Sequence, residues 1–377
     1  MSFPVFDIPA KRADLDPHRV AMEDLVSGEC VTYRDLDERT GRSAALLAEL
    51  GAGAGDRIAI LCRNRIEFFE LLFACARLGA ILVPLNWRMP ATELAPLITD
   101  CGAKWLIHGV EDTETVRGLS NESLVLLNLD DDSADGYRAR RDSSEALAGR
   151  AASPSDETWY LLYTSGTTGM PKAVIQTYGM AIANYINISQ AMGLRGDDTS
   201  LNFLPLFHTG GINITTLPGL IMGARALVMP GFDLEPMIEL VEAGRLDTFF
   251  GVPAIYQAIS LHERFDELDL SRVRCWACGG APLPDNLSNS TVRTLLRILV
   301  EKGHLKQKLD GQRYVYRPKR ARPKAARGEL KRIVETFFDG SVEQALVGLL
   351  RSADVELNED ELNRLGKMIE KARKEGR

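Results

Sequence analysis

The chain has 377 residues, of which 45% are hydrophobic and 26% are charged, and its formal net charge is −7 at pH 7. This is the balance of a folded globular protein, and the length allows two or three domains with sizeable cores. The sequence contains no run of eighteen apolar residues, which excludes a membrane-spanning helix, and its charged beginning lacks the apolar segment of a secretion signal. We therefore expect a cytoplasmic protein whose six cysteines are reduced thiols, most simply in the core.

The net charge hides a change of sign along the chain. Residues 1–287 hold 24 Lys and Arg against 39 Asp and Glu, a net −15, and residues 288–377 hold 21 against 13, a net +8. Basic residues are densest at 290–332, where 14 Lys and Arg stand against 3 Asp and Glu. This asymmetry predicts two units with different partners. The basic stretch fits either a solvated surface or a nucleic-acid contact.

Strand and helix patterns alternate along the first part of the chain. Residues 31–50 have helical apolar spacing and stop at Gly51, and residues 68–80 form a second helix that ends near Gly79. Strand patterns lie between and after these helices, at 57–62, 81–86, 105–109 and 123–129. The alternation predicts an α/β fold with parallel sheets flanked by helices. Residues 130–157 are polar, and we expect a surface excursion there.

Cys275 and Cys278 form a single C-x-x-C pair. A zinc site needs a second pair of ligands, and the sequence offers none, so we predict no metal site. The surrounding residues read RVRCWACGG, which is typical of a buried strand.

A Gly/Ser/Thr-rich segment separates two strand patterns at residues 163–172, which read YTSGTTGMPK. Its glycines let backbone amides approach an anion closely, its hydroxyls are donors, and its lysine is a compact cation. It is not a Walker A loop, because the lysine does not directly follow the glycine. Composition alone favours an ordinary Gly/Ser/Thr surface loop. The candidate phosphate-binding residues are Thr164, Ser165, Gly166, Thr167, Thr168, Gly169 and Lys172.

The segment YTSGTTGMPKA resembles the signature of the superfamily that contains acyl- and aryl-CoA synthetases, adenylation domains of nonribosomal peptide synthetases and luciferases. Ala173 departs from that signature, which usually has glycine. Further stretches of residues 1–286 resemble the superfamily in the same order: TYRDLDERTGRSAALL, GAGAGDRIAILCRN, LLFACARLGAILVPLNWR, PLFHTGG and GGAPLP. The stretches LVPLNWR and PLFHTGG most resemble acyl-CoA ligases.

The resemblance implies that residues 1–286 form the large N-terminal domain of an adenylate-forming enzyme. Such enzymes join a fatty or aromatic carboxylic acid to ATP with Mg²⁺ and pass the acyl group to coenzyme A. Residues 164–172 would hold the phosphates, and His208 would line the acyl pocket. Without the resemblance, His208 is a packed loop histidine. The border of the adenine and acyl pocket would be formed by Gly279, Gly280, Ala281 and Pro282.

The superfamily resemblance stops after GGAPLP. The family continues with a tyrosine-glycine and threonine-glutamate motif whose glutamate binds magnesium, then an aspartate for the ribose and a small domain with the catalytic lysine. Residues 287–377 contain none of these motifs. We therefore expect an incomplete and impaired enzyme and assign no catalytic residue, because electrostatic stabilisation and domain closure would both be lost.

The sequence changes character near residue 287. Residues 290–302 predict an amphipathic helix, and residues 304–317 predict a hairpin around Asp310-Gly311. Three helical patterns follow, at 325–338, 342–351 and 359–373.

These last segments resemble the BlaI/MecI penicillinase repressors. Residues 290–318 resemble their recognition helix and wing, a partial winged helix that lacks its first two helices, and residues 325–377 resemble their α-helical dimerisation tail. The resemblance implies a DNA partner and a homodimer. The candidate DNA-binding residues are Thr291, Arg293, Thr294 and Arg297 on the helix and Lys306, Lys308, Arg313 and Arg317 on the wing. Three hypotheses stay open: a ligase or its remnant, a DNA-binding repressor, and a fusion that performs neither function.

Overall fold

The protein is described by a computed structural model. The described residues are 2–119, 124–164, 171–280, 305–310 and 313–318, the last two segments by their backbone alone. The chain divides into two compact units, Met1–Thr291 and Val292–Arg377. The helices predicted at 290–302, 325–338, 342–351 and 359–373 lie outside the described residues.

The first unit alternates strands and helices along its described residues. Its strands are β1 (Pro4–Val5), β2 (Val20–Asp24), β3 (Cys30–Thr32), β4 (Arg57–Leu61), β5 (Ile81–Pro84), β6 (Trp105–His108), β7 (Val125–Asn128), β8 (Ser153–Pro154), β9 (Thr158–Thr164), β10 (Lys172–Thr177), β11 (Thr199–Asn202), β12 (Arg225–Val228), β13 (Thr248–Gly251) and β14 (Cys275–Cys278). Its α-helices are α1 (Ile8–Leu15), α2 (Tyr33–Glu49), α3 (Ile66–Leu78), α4 (Ala91–Cys101), α5 (Thr113–Arg117), α6 (Tyr137–Ser143), α7 (Tyr178–Met192), α8 (Thr209–Asn213), α9 (Thr216–Met222), α10 (Leu234–Glu242) and α11 (Pro253–Ser260). Short 3₁₀ turns lie at Val110–Asp112, Phe265–Glu267 and Leu270–Arg272.

Most strands belong to two six-stranded sheets. The first has the order β10-β9-β5-β4-β6-β7 and the second the order β14-β13-β11-β12-β2-β3. All pairs are parallel except β10 with β9 and β2 with β3. The predicted α/β class and the four predicted strands are therefore confirmed. The parallel ladders require the helical crossovers that the alternating pattern indicates.

Helix α3 packs between the two sheets and contacts β5 and β9 of the first and β2 of the second. Nearly all its side chains are buried, including the neighbouring Phe68 and Phe69, which explains why ten of its thirteen residues are apolar. The indole of Trp159 on β9 donates a 2.8 Å hydrogen bond to the carbonyl of Leu72. The helix ends at Gly79 with φ +71°, where the sequence predicts its stop.

The polar segment 130–157 is only partly a surface excursion. Helix α6 packs on α2, and its Tyr137 and Arg141 are buried. Arg141 Nη1 lies 2.9 Å from Oε2 of the fully buried Glu70 on α3, and the Tyr137 hydroxyl donates to the same oxygen at 3.1 Å. The buried carboxylate requires these partners, and no periodic pattern in the sequence reveals them.

Strand β14 forms where RVRCWACGG predicts it, but the expectation that it is buried is wrong. Its side chains are only partly buried, and Cys278 is exposed. Among the described strands β14 is the edge of the second sheet, so only β13 covers one of its sides. The expectation of core thiols holds for Cys62, Cys75 and Cys101 and is also wrong for Cys30, which is exposed.

In the second unit, β15 (Leu305–Asp310) and β16 (Arg313–Pro318) form an antiparallel hairpin. Asp310 pairs with Arg313, so two residues connect the strands. The predicted hairpin is confirmed, with its connection one residue later than the Asp310-Gly311 prediction. No helix in the described part of the chain is long and apolar enough to cross a membrane.

Candidate functional site

The candidate residues of the first unit lie near the ends of strands. Thr164 is the last residue of β9, His208 lies in the segment that follows β11, and Gly279 and Gly280 follow β14. In open parallel sheets the crevice at the carboxyl ends of the strands is the usual ligand site. All of these residues lie at or after the carboxyl ends of strands, Thr164 in the first sheet and the others in the second.

The predicted phosphate-binding segment connects an antiparallel hairpin. Thr164 pairs with Lys172, and both residues are exposed. Within the described residues Lys172 forms no ion pair, which leaves its ammonium group available for an anion. The end of β9 is fixed to α4, because the Tyr163 hydroxyl donates to Asp100 Oδ2 at 2.5 Å. The positions from Ser165 to Gly169 lie outside the described residues.

His208 caps the start of α8 and is exposed. Its amide donates to the Pro205 carbonyl at 3.1 Å, and its own carbonyl accepts from the Gly211 amide at 3.1 Å. Its ring lies 4.6 Å from that of Phe207. Partial desolvation, and then the guanidinium of Arg88, hold the pKa of His208 below its usual value. A neutral imidazole at pH 7 can accept or donate a hydrogen bond beside a carboxylic acid.

Trp87, which follows β5 of the first sheet, contacts Phe207 beside His208. The guanidinium carbons of Arg63 and Arg88 lie 3.5 Å and 4.1 Å from the centre of the Trp87 ring, and that ring lies edge-on to Phe207 at 6.3 Å. Arg63 also pairs with Asp112 at 3.2 Å. Arg88 pairs with no carboxylate among the described residues, so the surroundings of His208 are positively charged.

Buried asparagines fix the segment that carries His208, and sequence reasoning missed them. Asn64, after β4, donates to Asn202 Oδ1 and to the Leu204 carbonyl, both at 2.8 Å. Asn202 donates in turn to the Gly211 carbonyl at 2.8 Å and to Thr216 Oγ1 at 2.7 Å. Asparagine belongs to no catalytic pattern at these spacings. The only feature of the sequence that could have indicated these residues is the general preference of asparagine for turns.

A side chain is disfavoured at Gly279 by a neighbouring ring and at Gly280 by the backbone conformation. A Cβ at Gly279 would lie 3.3 Å from the Phe250 ring, and Gly280 has φ +81° with a Cβ position 3.4 Å from Val252. Glycine is therefore favoured at both positions, as expected where backbone approaches a ligand closely. Ala281 and Pro282 lie outside the described residues.

The hairpin of the second unit aligns its candidate DNA-binding positions. Lys306 pairs with Arg317, and Asp310 pairs with Arg313. Lys308 is two residues from Lys306, and Arg313 is four from Arg317, so the register places all four basic positions on one face of the ribbon. The helical candidates Thr291, Arg293, Thr294 and Arg297 lie outside the described residues.

No group of three or more His, Cys, Asp or Glu residues suited to a metal ion occurs in the part of the chain that the structure describes.

Two families match the chain. The profile described as AMP-binding enzyme matches residues 10–302, and the profile described as Penicillinase repressor matches residues 281–371. Among curated proteins, a feruloyl-CoA synthase from an Amycolatopsis species is 36% identical over 282 residues, covering 74% of this chain and 55% of that protein. An indoleacetate–CoA ligase from Aromatoleum aromaticum is 32% identical over 282 residues, with the same coverage of 74% and 55%.

The chain spans about half the length, 55%, of these curated relatives. Among solved structures, the inhibitor-bound N-terminal domain of FACL13 from Mycobacterium tuberculosis is similar with a TM-score of 0.68 and 28% identity, covering 78% of this chain and 72% of that one. The fold described above is thus the fold of that domain.

Proposed function

Because this chain belongs to the AMP-binding enzyme family, whose profile covers residues 10–302, we propose that its first unit binds ATP and a carboxylic acid as an acyl-CoA ligase of the AMP-forming type does. The observation that carries the proposal is the exposed Lys172. It faces Thr164 at the mouth of a Gly/Thr/Ser-rich hairpin and has no carboxylate partner among the described residues. A cation in this position suits a polyphosphate.

Each candidate residue has a proposed role. Thr164 to Gly169 and Lys172 hold the phosphates, and His208 lines the acyl pocket. Gly279 to Pro282 border the adenine and acyl pocket. ATP, bound with Mg²⁺, would supply the adenylate that activates the acid, and coenzyme A would accept the acyl group. Relatives named for ferulate and indoleacetate favour an aromatic acid as the substrate class.

We further propose that turnover is impaired. Residues 287–377 contain no counterpart of the family's magnesium-binding glutamate or catalytic lysine. Charge that develops on the α-phosphate would therefore lack its partners within this chain, and such electrostatic stabilisation is usually the largest catalytic contribution.

Calorimetry with ATP, together with carboxylate-dependent pyrophosphate exchange, tests both proposals. We expect weak but saturable ATP binding and background exchange with ferulate or indoleacetate. Robust exchange would refute the impairment while supporting the ligase. No ATP binding at millimolar concentration would refute nucleotide binding altogether.

A second function is favoured by the match of residues 281–371 to the penicillinase repressors. We propose that residues 290–318 contact DNA and that residues 325–377 form a homodimer in the cytoplasm. The aligned basic positions of the β15–β16 ribbon and the net +8 of residues 288–377 support this proposal. A fusion in which neither unit acts is the remaining alternative, and the binding experiments distinguish it.

A further inference from the structure

Asn213 is buried at the end of α8 and contacts three other elements. Its Oδ1 accepts a 2.7 Å hydrogen bond from the Tyr160 hydroxyl on β9, and its Nδ2 donates to Gln176 Oε1 on β10 at 3.5 Å. Its backbone carbonyl accepts from Asn184 Nδ2 on α7 at 2.5 Å. A buried amide used on both its oxygen and its nitrogen fixes the orientation of the groups around it.

The first two partners belong to the hairpin that carries the candidate phosphate-binding residues. Tyr160 pairs with Gln176, and Thr164 pairs with Lys172 four residues further along. Side chains alternate with a period of two, so these four residues lie on the same face of the hairpin. Asn213 therefore contacts that face about 13 Å from the phosphate end, at roughly 3.3 Å per residue.

The other end of α8 carries His208. The helix spans only Thr209–Asn213, and His208 caps it. At 1.5 Å per residue, about 7.5 Å of helix axis separates His208 from Asn213. Asn202 holds the Gly211 carbonyl at 2.8 Å in the middle of this turn. Hydrogen bonds therefore hold this turn in its middle, at Gly211, and at its end, at Asn213.

We propose that Asn213 is a positioning residue that couples the β9–β10 hairpin to the turn carrying His208. This inference rests on the proposed function, because the coupling affects catalysis only if the hairpin holds ATP and His208 faces the acid. Each ligand then tightens the binding of the other by the same factor, as thermodynamic linkage requires. The hydrogen-bonded strands transmit a displacement at their phosphate end to Tyr160 and Gln176.

The test compares ATP affinity by calorimetry with and without saturating ferulate in the full chain. We expect ferulate to tighten ATP binding at least about fivefold in the parent and less than about twofold in Asn213→Ala and Tyr160→Phe. Tyr178→Phe is the matched control, since it removes a buried hydroxyl that lies 3.4 Å from Arg150 and has no hydrogen bond to α8. In Tyr178→Phe we expect ferulate to tighten ATP binding by the same factor as in the parent. A purely structural role for Asn213 would lower the melting temperature and leave the factor unchanged.

The inference would be overturned if ferulate tightened ATP binding in Asn213→Ala as much as it does in the parent. It would also be overturned if the parent bound ATP and ferulate independently. Neither result would affect the proposed function. A parent that does not bind ATP would overturn the proposed function instead. In that case, backbone amide hydrogen exchange of the ligand-free chain tests the inference. Asn213→Ala should accelerate exchange in both 158–164 and 203–212, and acceleration in only one of them would refute the coupling.

Discussion

Lys172 differs from most cations of the first unit in having no carboxylate beside it in the described structure. Arg65, Arg77 and Arg141, for example, each pair with two acidic side chains. Paired cations of this kind hold the fold together, whereas an exposed unpaired cation at the mouth of a hairpin is available to a ligand.

Replacing Lys172 by alanine is therefore expected to weaken ATP binding about tenfold or more, since one charged hydrogen bond to phosphate contributes about 1.5–3 kcal/mol. Calorimetry gives the affinity. The matched control is Lys104→Ala, which removes an exposed lysine that pairs with Asp56 at 3.3 Å and should leave the affinity unchanged. Equal ATP binding by parent and Lys172→Ala would show that the hairpin has only a structural role.

Glu67 predicts a pH dependence of stability. Burial opposes its charge, but the guanidinium groups of Arg65 and Arg138, at 2.9 Å and 2.6 Å, lower its pKa from 4.5 to about 2. The charged form is thus stabilised by folding. Its contribution is present above pH 4.5 and is lost as the pH falls towards 2. Glu67→Gln should lower the free energy of unfolding by about 3 kcal/mol at pH 7.

Urea unfolding of parent and Glu67→Gln across pH 2–7 measures this difference, which should shrink steadily below pH 4.5. A difference that is independent of pH would mean that packing around Glu67, and not its charge, is what the substitution removes.

Single residues that belong to a motif could be predicted from the sequence, whereas residues that only hold the motif in place could not. Thr164 and Lys172 are named by the motif, and the structure pairs them. Asn64, Asn202 and Asn213 could not be predicted, because their roles depend on strands that are distant in the sequence and adjacent in the fold. Hydrogen bonds between residues 53 to 140 positions apart leave no local pattern.

Helices and strands were predictable where one physical signal dominates. The apolar segment at 68–80 and the stop at Gly79 give α3, and the apolar runs give β4 to β7. Helix α6 was missed because its buried residues are a tyrosine and an arginine, which normally mark a surface. Its burial depends on Glu70, on another helix, which no pattern within residues 130–157 can show.

Arg141 should consequently be more important for stability than its charge suggests. In Arg141→Met the fully buried Glu70 would lose its partner at 2.9 Å. We expect a loss of up to about 3–5 kcal/mol in unfolding free energy, since the buried charge loses its nearest cation and retains only Arg39 at 3.5 Å and the Tyr137 hydroxyl. Denaturant unfolding at pH 7 measures it. The double variant Glu70→Gln with Arg141→Met should recover part of the loss, and a double variant no more stable than Arg141→Met would contradict this explanation.

For the whole molecule, the net charge of +8 on residues 288–377 predicts electrostatic binding of nucleic acid. We expect the full chain to bind duplex DNA without sequence preference, because the two helices that support a recognition helix have no counterpart in the sequence. Affinity should fall at least about a hundredfold between 50 and 200 mM salt, through counterion release. Titration against a palindromic repressor operator and a scrambled duplex tests this. A preference for the operator that survives physiological salt would show a properly supported recognition helix.

We also expect the full chain to sediment as a dimer. The helical patterns beyond residue 325 carry apolar residues that one short segment cannot cover, namely Ile333, Phe337, Leu346, Leu349, Leu350, Leu362, Leu365 and Ile369. A chain that stops at residue 324 should be monomeric at the same micromolar concentration. If both chains sediment alike, these residues do not form the interface.

The position of α3 between two sheets also has a consequence for biosynthesis. The helix is complete at Leu78, but β9, which covers it from the first sheet, ends at Thr164, and β12, which pairs with β2 in the second, begins at Arg225. At roughly 5–20 residues per second, a ribosome needs about 7–30 s to add those last strands. During that interval a thirteen-residue helix that is mostly apolar has no complete partner surface. The nascent chain should therefore expose apolar surface, and be prone to aggregation, until the second sheet has been synthesised.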